Sequence, residues 1–295
     1  MQTKSAQNSL ETVINYHITE KCNFACHYCF AKYGLEDKFK MELHHDLSQV
    51  KLMLEDIYQH FQNGNAGNDV RINFAGGEPM ILKKFPEIIE MAYAIGFKVS
   101  LITNASVLTD DFINKQARHL SVFGLSIDSF QEDTNQNIGR VTWSGKANKT
   151  AEIMQKIALI RKLNSEISIK LNTVVTHKNY DELMATEINR IAPDKWKIFE
   201  VLPNGNAGGK VSKQQFEHFI CNHAETVDVP KFVEYNDDLL DSYLMIDPLG
   251  RFYQRQSVGH KNIFSAPIIM VGAKQALQQV TFDQHKFDQR YVSFS

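Results

Sequence analysis

The chain has 295 residues, 43% of them hydrophobic and 22% charged, with a formal net charge of −2, enough for one large α/β domain or two smaller ones. That balance gives no reason to expect nonspecific binding to nucleic acid or to a membrane surface. No apolar run approaches the roughly 20 residues of a membrane span, and the polar opening MQTKSAQNSLET lacks the apolar core of a signal peptide, so a cytoplasmic location is expected.

VINYHIT (13–19) alternates as a strand and runs into KCNFACHYCF (21–30), which holds three of the four cysteines. Four cysteines in so long a chain are no disulfide framework, and pairing within Cys22, Cys26 and Cys29 always leaves one thiol over. Leu47, Val50, Leu54, Ile57 and Phe61 then recur at helical spacing up to the breaker NGNAGN. VRINFAGGEP (70–79) is a strand meeting a glycine turn, followed by a helix over 84–95 closed by Gly96. Next come a strand at 98–104, a helix around 109–119 and a strand at 121–128. A longer helix carries Ile153, Ile157 and Ile160 on one stripe. A strand at 166–175, a helix near 181–192 and a strand at 195–202 complete six β units. Such alternation predicts a parallel sheet flanked by helices, either open and doubly wound or closed into part of a barrel.

The strand faces say more, because side chains alternate across a strand. Arg71 and Asn73 lie opposite Val70, Ile72 and Phe74. Ser100 and Asn104 lie opposite Val99 and Leu101, and Ser126 and Asp128 opposite Phe123, Leu125 and Ile127. Lys170 and Asn172 lie opposite Ile167, Ile169 and Leu171, and Lys195 and Lys197 opposite Trp196 and Ile198. A buried parallel sheet is ordinarily apolar on both faces, and unsatisfied polar groups on an inner face cost free energy. The repeated polar face therefore predicts a lumen that holds a polar ligand. Arg71, Lys170, Lys195 and Lys197 against the single nearby carboxylate of Asp128 predict that this ligand is an anion.

C-x₃-C-x₂-C supplies three thiolates on one loop, suited to three irons of a four-iron cluster with the fourth iron open to chemistry. A structural zinc site would need a fourth ligand, for which His27 is at hand; inert packing of the thiols is the remaining alternative.

With Tyr28 at its aromatic position, the motif resembles that of the radical S-adenosylmethionine (SAM) enzymes, and GGEP (76–79) after the second strand strengthens the likeness. The resemblance implies a partial (β/α)₆ barrel over 12–202, after a flexible 1–11, with a C-terminal extension over 203–295 covering the substrate site. LSIDSFQEDTNQNIGR (125–140), KLNTVV (170–175), DKWKIFEVLPNGNAG (194–208), SYLMIDPLGRF (242–252) and IIMVGAKQAL (268–277) resemble the viperin branch. The likeness runs from about residue 12 to about 290. Viperins dehydrate a nucleoside triphosphate, best known as CTP, to a 3′-deoxy-3′,4′-didehydro analogue that terminates viral RNA synthesis.

By that resemblance Cys22, Cys26 and Cys29 hold a [4Fe–4S] cluster, and Tyr28, Gly76, Gly77, Glu78, Asn104, Ser126 and Arg140 hold SAM. Arg140 would fork onto its carboxylate. Arg71, Asn73, Lys170, Asn172, Lys195 and Lys197 would hold the triphosphate. SAM cleavage would yield a radical that takes the 4′ hydrogen, and loss of the 3′ hydroxyl as water with reduction would give the product. An electron donor such as flavodoxin or ferredoxin is implied; nucleic-acid and membrane partners are not. Glu200, Asn204 and Asn206 are candidates for reading the base, and Tyr243, Tyr253 and Tyr291 for a final donor. No residue is assigned a catalytic role, and Asp128 reads equally as a cap for the turn after its strand. The base itself, CTP, UTP or GTP, is not legible. A radical SAM enzyme acting on a peptide or a cofactor, and a zinc-stabilised binding module, are the alternatives. Three departures from animal viperins stand out. The N-terminal amphipathic anchor is absent, the C-terminal tail stops at RYVSFS, and Val141 replaces the glycine after IGR.

Overall fold

A computed structural model describes residues 11–31, 36–64, 69–203, 210–255 and 262–289. The predicted alternation is present: β1 (Thr12–Thr19), α1 (Leu47–Gly64), β2 (Val70–Gly76), α2 (Phe85–Ile95), β3 (Lys98–Thr103), α3 (Asp110–Gln116), β4 (Leu120–Ser126), α4 (Glu132–Asn137), α5 (Thr150–Leu163), β5 (Ser168–Val175), α6 (Ala185–Ile191) and β6 (Lys195–Glu200). After them come α7 (Lys213–Ala224), β7 (Lys231–Glu234), β8 (Leu244–Ile246), β9 (Arg251–Arg255) and β10 (Asn262–Pro267). All ten strands form one sheet in the order β10-β9-β8-β1-β2-β3-β4-β5-β6-β7. Strands β1 to β7 pair in parallel, as does β8 with β1, whereas β9 and β10 run antiparallel. The C-terminal residues thus extend the sheet at both edges.

The helices cover one face. Val50, Met53, Leu54, Ile57 and Phe61 of α1 are buried together with Ile14, Ile18, Ile72, Phe74, Leu101 and Ile169 from the outward sides of the strands, each such side chain contributing about 1.5–3 kcal/mol of burial. The other face is wetter. Along β5, buried Ile169, Leu171, Thr173 and Val175 alternate with half-buried Ser168, Lys170, Asn172 and Val174. Its register sets Lys170 beside Lys195 and Asn172 beside Lys197.

The sheet curls until β7 comes beside β8 and the end of β6 beside β9. Tyr243, next to β8, donates a hydrogen bond to Glu234 of β7, and Arg255 of β9 reaches the Pro203 carbonyl at 3.3 Å. β7 and β8 share no ladder. The result is a partial barrel whose seam is joined by side chains, and whose polar face is a lumen.

Candidate active site

The cysteine loop leaves the C-terminal end of β1, where ligand sites of α/β barrels gather. It is fastened to the glycine turn after β2: Gly77 N–H donates to the Thr19 carbonyl and Glu78 N–H to the Lys21 carbonyl, both at 2.8 Å. The approach tolerates no side chain, since a Cβ on Gly77 would stand 2.0 Å from the Lys21 carbonyl oxygen. Gly76 has a φ of +118°, open to glycine and strained for other residues.

Glu78 is fully buried, and its carboxylate accepts from Asn104 N–H at 2.7 Å, Thr103 Oγ at 2.7 Å and Met80 N–H at 3.1 Å. Burial pushes it above the usual carboxylate range, against the pull of those bonds. Its side chain therefore pins the end of β3, and it is the backbone of 76–78 that faces the cysteine loop.

The three thiols are half-buried. Cys22 Sγ receives Phe24 N–H at 3.4 Å and Asn104 Nδ2 at 3.7 Å, and Cys26 Sγ receives Arg140 Nη1 at 3.9 Å. Burial pushes the Cys22 thiol up to about 11 and raises Cys26 as well, with Arg140 opposing at Cys26. Among the described residues no three His, Cys, Asp or Glu side chains converge on one metal-sized point. A lone zinc ion requires that convergence. A four-iron cluster takes one thiolate per iron, and three thiols on one loop suit it.

Behind the loop, Asp128 does not cap a turn. Its carboxylate accepts from the Tyr28 hydroxyl and from Val174 N–H at 2.7 Å, and it pairs with Arg140 at 2.9 Å, with 10% and 2% of the two side chains exposed. The second arm of Arg140 reaches the Ser126 carbonyl. Tyr28 and Arg140 are thus locked to one buried carboxylate rather than standing separately. Ser126 and Arg140 line a small cleft with Phe24, Ile127 and Asn148.

The expected cations face the lumen together. Lys170 is half-buried and, among the described residues, has neither hydrogen bond nor ion pair. Burial and the neighbouring Lys197, Arg71 and Lys195 hold its ammonium well below the ordinary lysine value, with Glu234 alone opposing. Lys195, also lowered by burial and by Arg71, lies 4.7 Å from the Phe232 ring centroid. Arg71 Nε stands 2.8 Å from Glu11. Lys197 is buried, paired with Glu234 and 3.1 Å from the Tyr243 hydroxyl. Asn172 Oδ1 is buried without a partner among the described residues.

One expectation is corrected here. The carboxylates that meet the cations are Glu11 and Glu234, because Asp128 is spent on Arg140. Asn73 is buried and already bonded within the protein: it donates to Asn15 at 2.8 Å and accepts from Ser100 at 2.8 Å, so part of the polar face is satisfied from strand to strand. Tyr253 donates to or accepts from His17 Nδ1 at 2.6 Å, with the imidazole pushed down to about 4 by burial. Glu200 accepts from Asn236 N–H. Asn204, Asn206 and Tyr291 lie outside the described residues.

The sequence profile of the Radical SAM superfamily matches residues 16–187. The chain is 39% identical over 290 residues to an S-adenosylmethionine-dependent nucleotide dehydratase of Psychrobacter lutiphocae, covering 95% of each. To one of Pseudoalteromonas ulvae it is 37% identical over 290 residues, covering 96% of this chain and 94% of the other. The solved structure of anSMEcpe with bound AdoMet superposes with a TM-score of 0.63 at 16% identity, over 94% of this chain and 78% of that one, a likeness of fold.

A curled parallel sheet with a cysteine loop after β1 and a glycine turn after β2 is the architecture of a radical SAM enzyme, and the chain belongs to that superfamily, whose members use a [4Fe–4S] cluster and SAM. Within it, the chain belongs with the viperin-like relatives that it matches along nearly their whole length.

Proposed function

We propose that this enzyme dehydrates a nucleoside triphosphate, with CTP favoured, to its 3′-deoxy-3′,4′-didehydro analogue. The names of its relatives support the reaction class, and one observation carries the reading: Lys170, without a partner among the described residues, shares the lumen with Arg71, Lys195 and Lys197. Such a gathering is unfavourable until an anion of high charge enters, and a triphosphate brings about four charges that converging cations neutralise in a site poor in water.

Cys22, Cys26 and Cys29 would hold the cluster, and the backbone of Gly76, Gly77 and Glu78 with Asn104, Ser126 and Arg140 would hold SAM. When bound, the pair supplies one-electron cleavage that removes a hydrogen atom from the substrate. The protein's part is placement. Lys170, Lys195, Lys197 and Arg71 grip the phosphates, and Asn172 can donate its amide N–H to a phosphate oxygen while its buried Oδ1 accepts from a substrate hydroxyl. Asp128 fixes Tyr28 and Arg140 against the cysteine loop. Glu234 screens Lys197 in the free chain and yields it to the phosphates on binding. The residues beyond 202 cover the lumen from both edges of the sheet. No helix of the described residues is long and apolar enough to cross a membrane, and a cytoplasmic enzyme reduced by a flavodoxin or ferredoxin fits the chain.

The test reconstitutes the cluster without oxygen and adds dithionite, SAM and each nucleoside triphosphate separately, with mass spectrometry of the products. One nucleotide lighter by one water supports the proposal and names the base. 5′-Deoxyadenosine without any altered nucleotide removes the substrate claim and returns the question to another radical SAM substrate.

A further inference from the structure

The cysteine loop does not stand alone at the surface. Phe24 forms an antiparallel bridge with Thr142, His27 N–H donates to the Ile138 carbonyl at 3.1 Å, and Gly139 packs so close that a Cβ there would stand 2.4 Å from the Ala25 carbonyl oxygen. The segment that begins at Gly139 then makes a tight turn. Thr142 N–H donates to the Lys146 carbonyl at 2.9 Å, Gly145 N–H to the Thr142 carbonyl at 2.8 Å and Lys146 N–H to Thr142 Oγ at 3.2 Å. At the tip of this hydrogen-bonded turn Trp143 is 83% exposed, whereas Trp196 is fully buried. A tryptophan held out in water by a braced turn contributes nothing to the core, and tryptophan is the residue type most enriched among interface anchors.

The charge around it is one-sided. Residues 21–30 and 139–149 include Lys21, Arg140, Lys146 and Lys149 with His27, and not one Asp or Glu, in a chain whose net charge is −2. Arg140 is buried and paired with Asp128, and Lys149 is 3.6 Å from Glu152. Lys21, His27 and Lys146 are exposed beside the exposed Ala25 and Phe30. An exposed apolar anchor on a turn bridged to the loop that carries the thiols, with Lys146 in the same turn and His27 on the loop, fits a partner with an acidic face.

We propose that this face, the cysteine loop together with the Thr142–Lys146 turn, docks an acidic one-electron carrier protein, with Trp143 as the anchor and Lys146 as a steering charge. The inference rests on the reading that Cys22, Cys26 and Cys29 hold a cluster. Electron transfer weakens steeply with distance, so a carrier must seat close to the cluster, and this surface includes the loop that carries the thiols. In each transfer the carrier's reduced flavin loses one electron and the cluster gains one; no bond forms or breaks.

The test uses reduced flavodoxin as the probe and dithionite, which needs no docking surface, as the control, on the reconstituted full chain. Trp143→Ala and Lys146→Glu should each slow cluster reduction by flavodoxin about tenfold or more, leaving iron content and reduction by dithionite at the parent level. The flavodoxin rate of the parent should fall as salt rises. Calorimetric titration of oxidised flavodoxin into the cluster-free chain should show the same loss of affinity in both variants. Parent-level reduction by flavodoxin in both variants would overturn the proposal. So would a Trp143→Ala variant equally slow in nucleotide turnover with dithionite, since the side chain would then serve the substrate. A parent chain that holds no iron would sink the cluster reading instead, and calorimetry would still decide the docking claim.

Discussion

A lysine ammonium drawn half out of water beside three other cations is shifted toward its neutral form, and burial with Lys197, Arg71 and Lys195 holds Lys170 well below the ordinary lysine value. The sign follows from linkage: the unfolded chain keeps that proton up to the ordinary lysine value, and the folded chain releases it earlier. Stability therefore rises with pH through the window between the two values, and the penalty is present below it. Lys170→Met should raise the melting temperature of the ligand-free protein at neutral pH, and weaken triphosphate binding about tenfold or more. Within that window, binding to the parent should take up a proton, visible as a buffer-dependent heat in calorimetry and lost in the variant, with affinity falling as pH climbs through it. Asp128 behaves oppositely, because its loss strands a buried guanidinium. Asp128→Ala should cost about 3–5 kcal/mol in urea denaturation, and Asp128→Asn less, since it still offers Tyr28 an acceptor. The cations were legible in the sequence from strand alternation alone. Their partners were not: Glu11, Glu234 and Tyr243 meet them from outside the predicted strands, across distances in sequence that only the curled sheet closes.

Among the elements, the junction between the cysteine loop and the glycine turn has the least freedom. Gly77→Ala would drive a methyl group onto the Lys21 carbonyl, and should leave a chain that folds by circular dichroism but retains little iron after reconstitution. Gly145→Ala is the contrast: nothing lies within 4 Å of its Cβ position, although its φ is +76°. It should cost about 1 kcal/mol of backbone strain and keep its iron. The strands β1 to β6 were readable because each carries a period-two pattern. Of the later strands, β7, β8 and β9 are three to five residues long, too short for a period to declare itself. The helix expected from 181 starts at Ala185 because the residues before it are otherwise engaged. Asn179 closes a turn on Thr176 at 2.6 Å, and Glu182 accepts from Ser129 and from Phe130 N–H.

At the scale of the molecule, periodicity left an open sheet and a partial barrel undecided, and the seam decides it. Glu234, Tyr243 and Lys197 draw β7, β8 and β6 together, turning a polar sheet face into a lumen lined by cations with the cysteine loop at its end. Motif residues announced the superfamily before any fold was visible, since cluster chemistry fixes thiolate spacing. The nucleobase stayed illegible: of its candidate readers, Glu200 closes β6 and is taken up by Asn236 N–H, and Asn204 and Asn206 lie outside the described residues. The central claim is that the lumen presents the sugar of a nucleoside triphosphate to the SAM cleaved at the cysteine loop. The measurement that tests it most directly supplies CTP deuterated at C4′ to the reconstituted enzyme with SAM and dithionite, and reads the mass of the 5′-deoxyadenosine formed. Deuterium recovered in 5′-deoxyadenosine, together with a nucleotide lighter by one water, is the predicted result. Unlabelled 5′-deoxyadenosine and unchanged CTP, with UTP and GTP labelled at the same position giving the same answer, would contradict it.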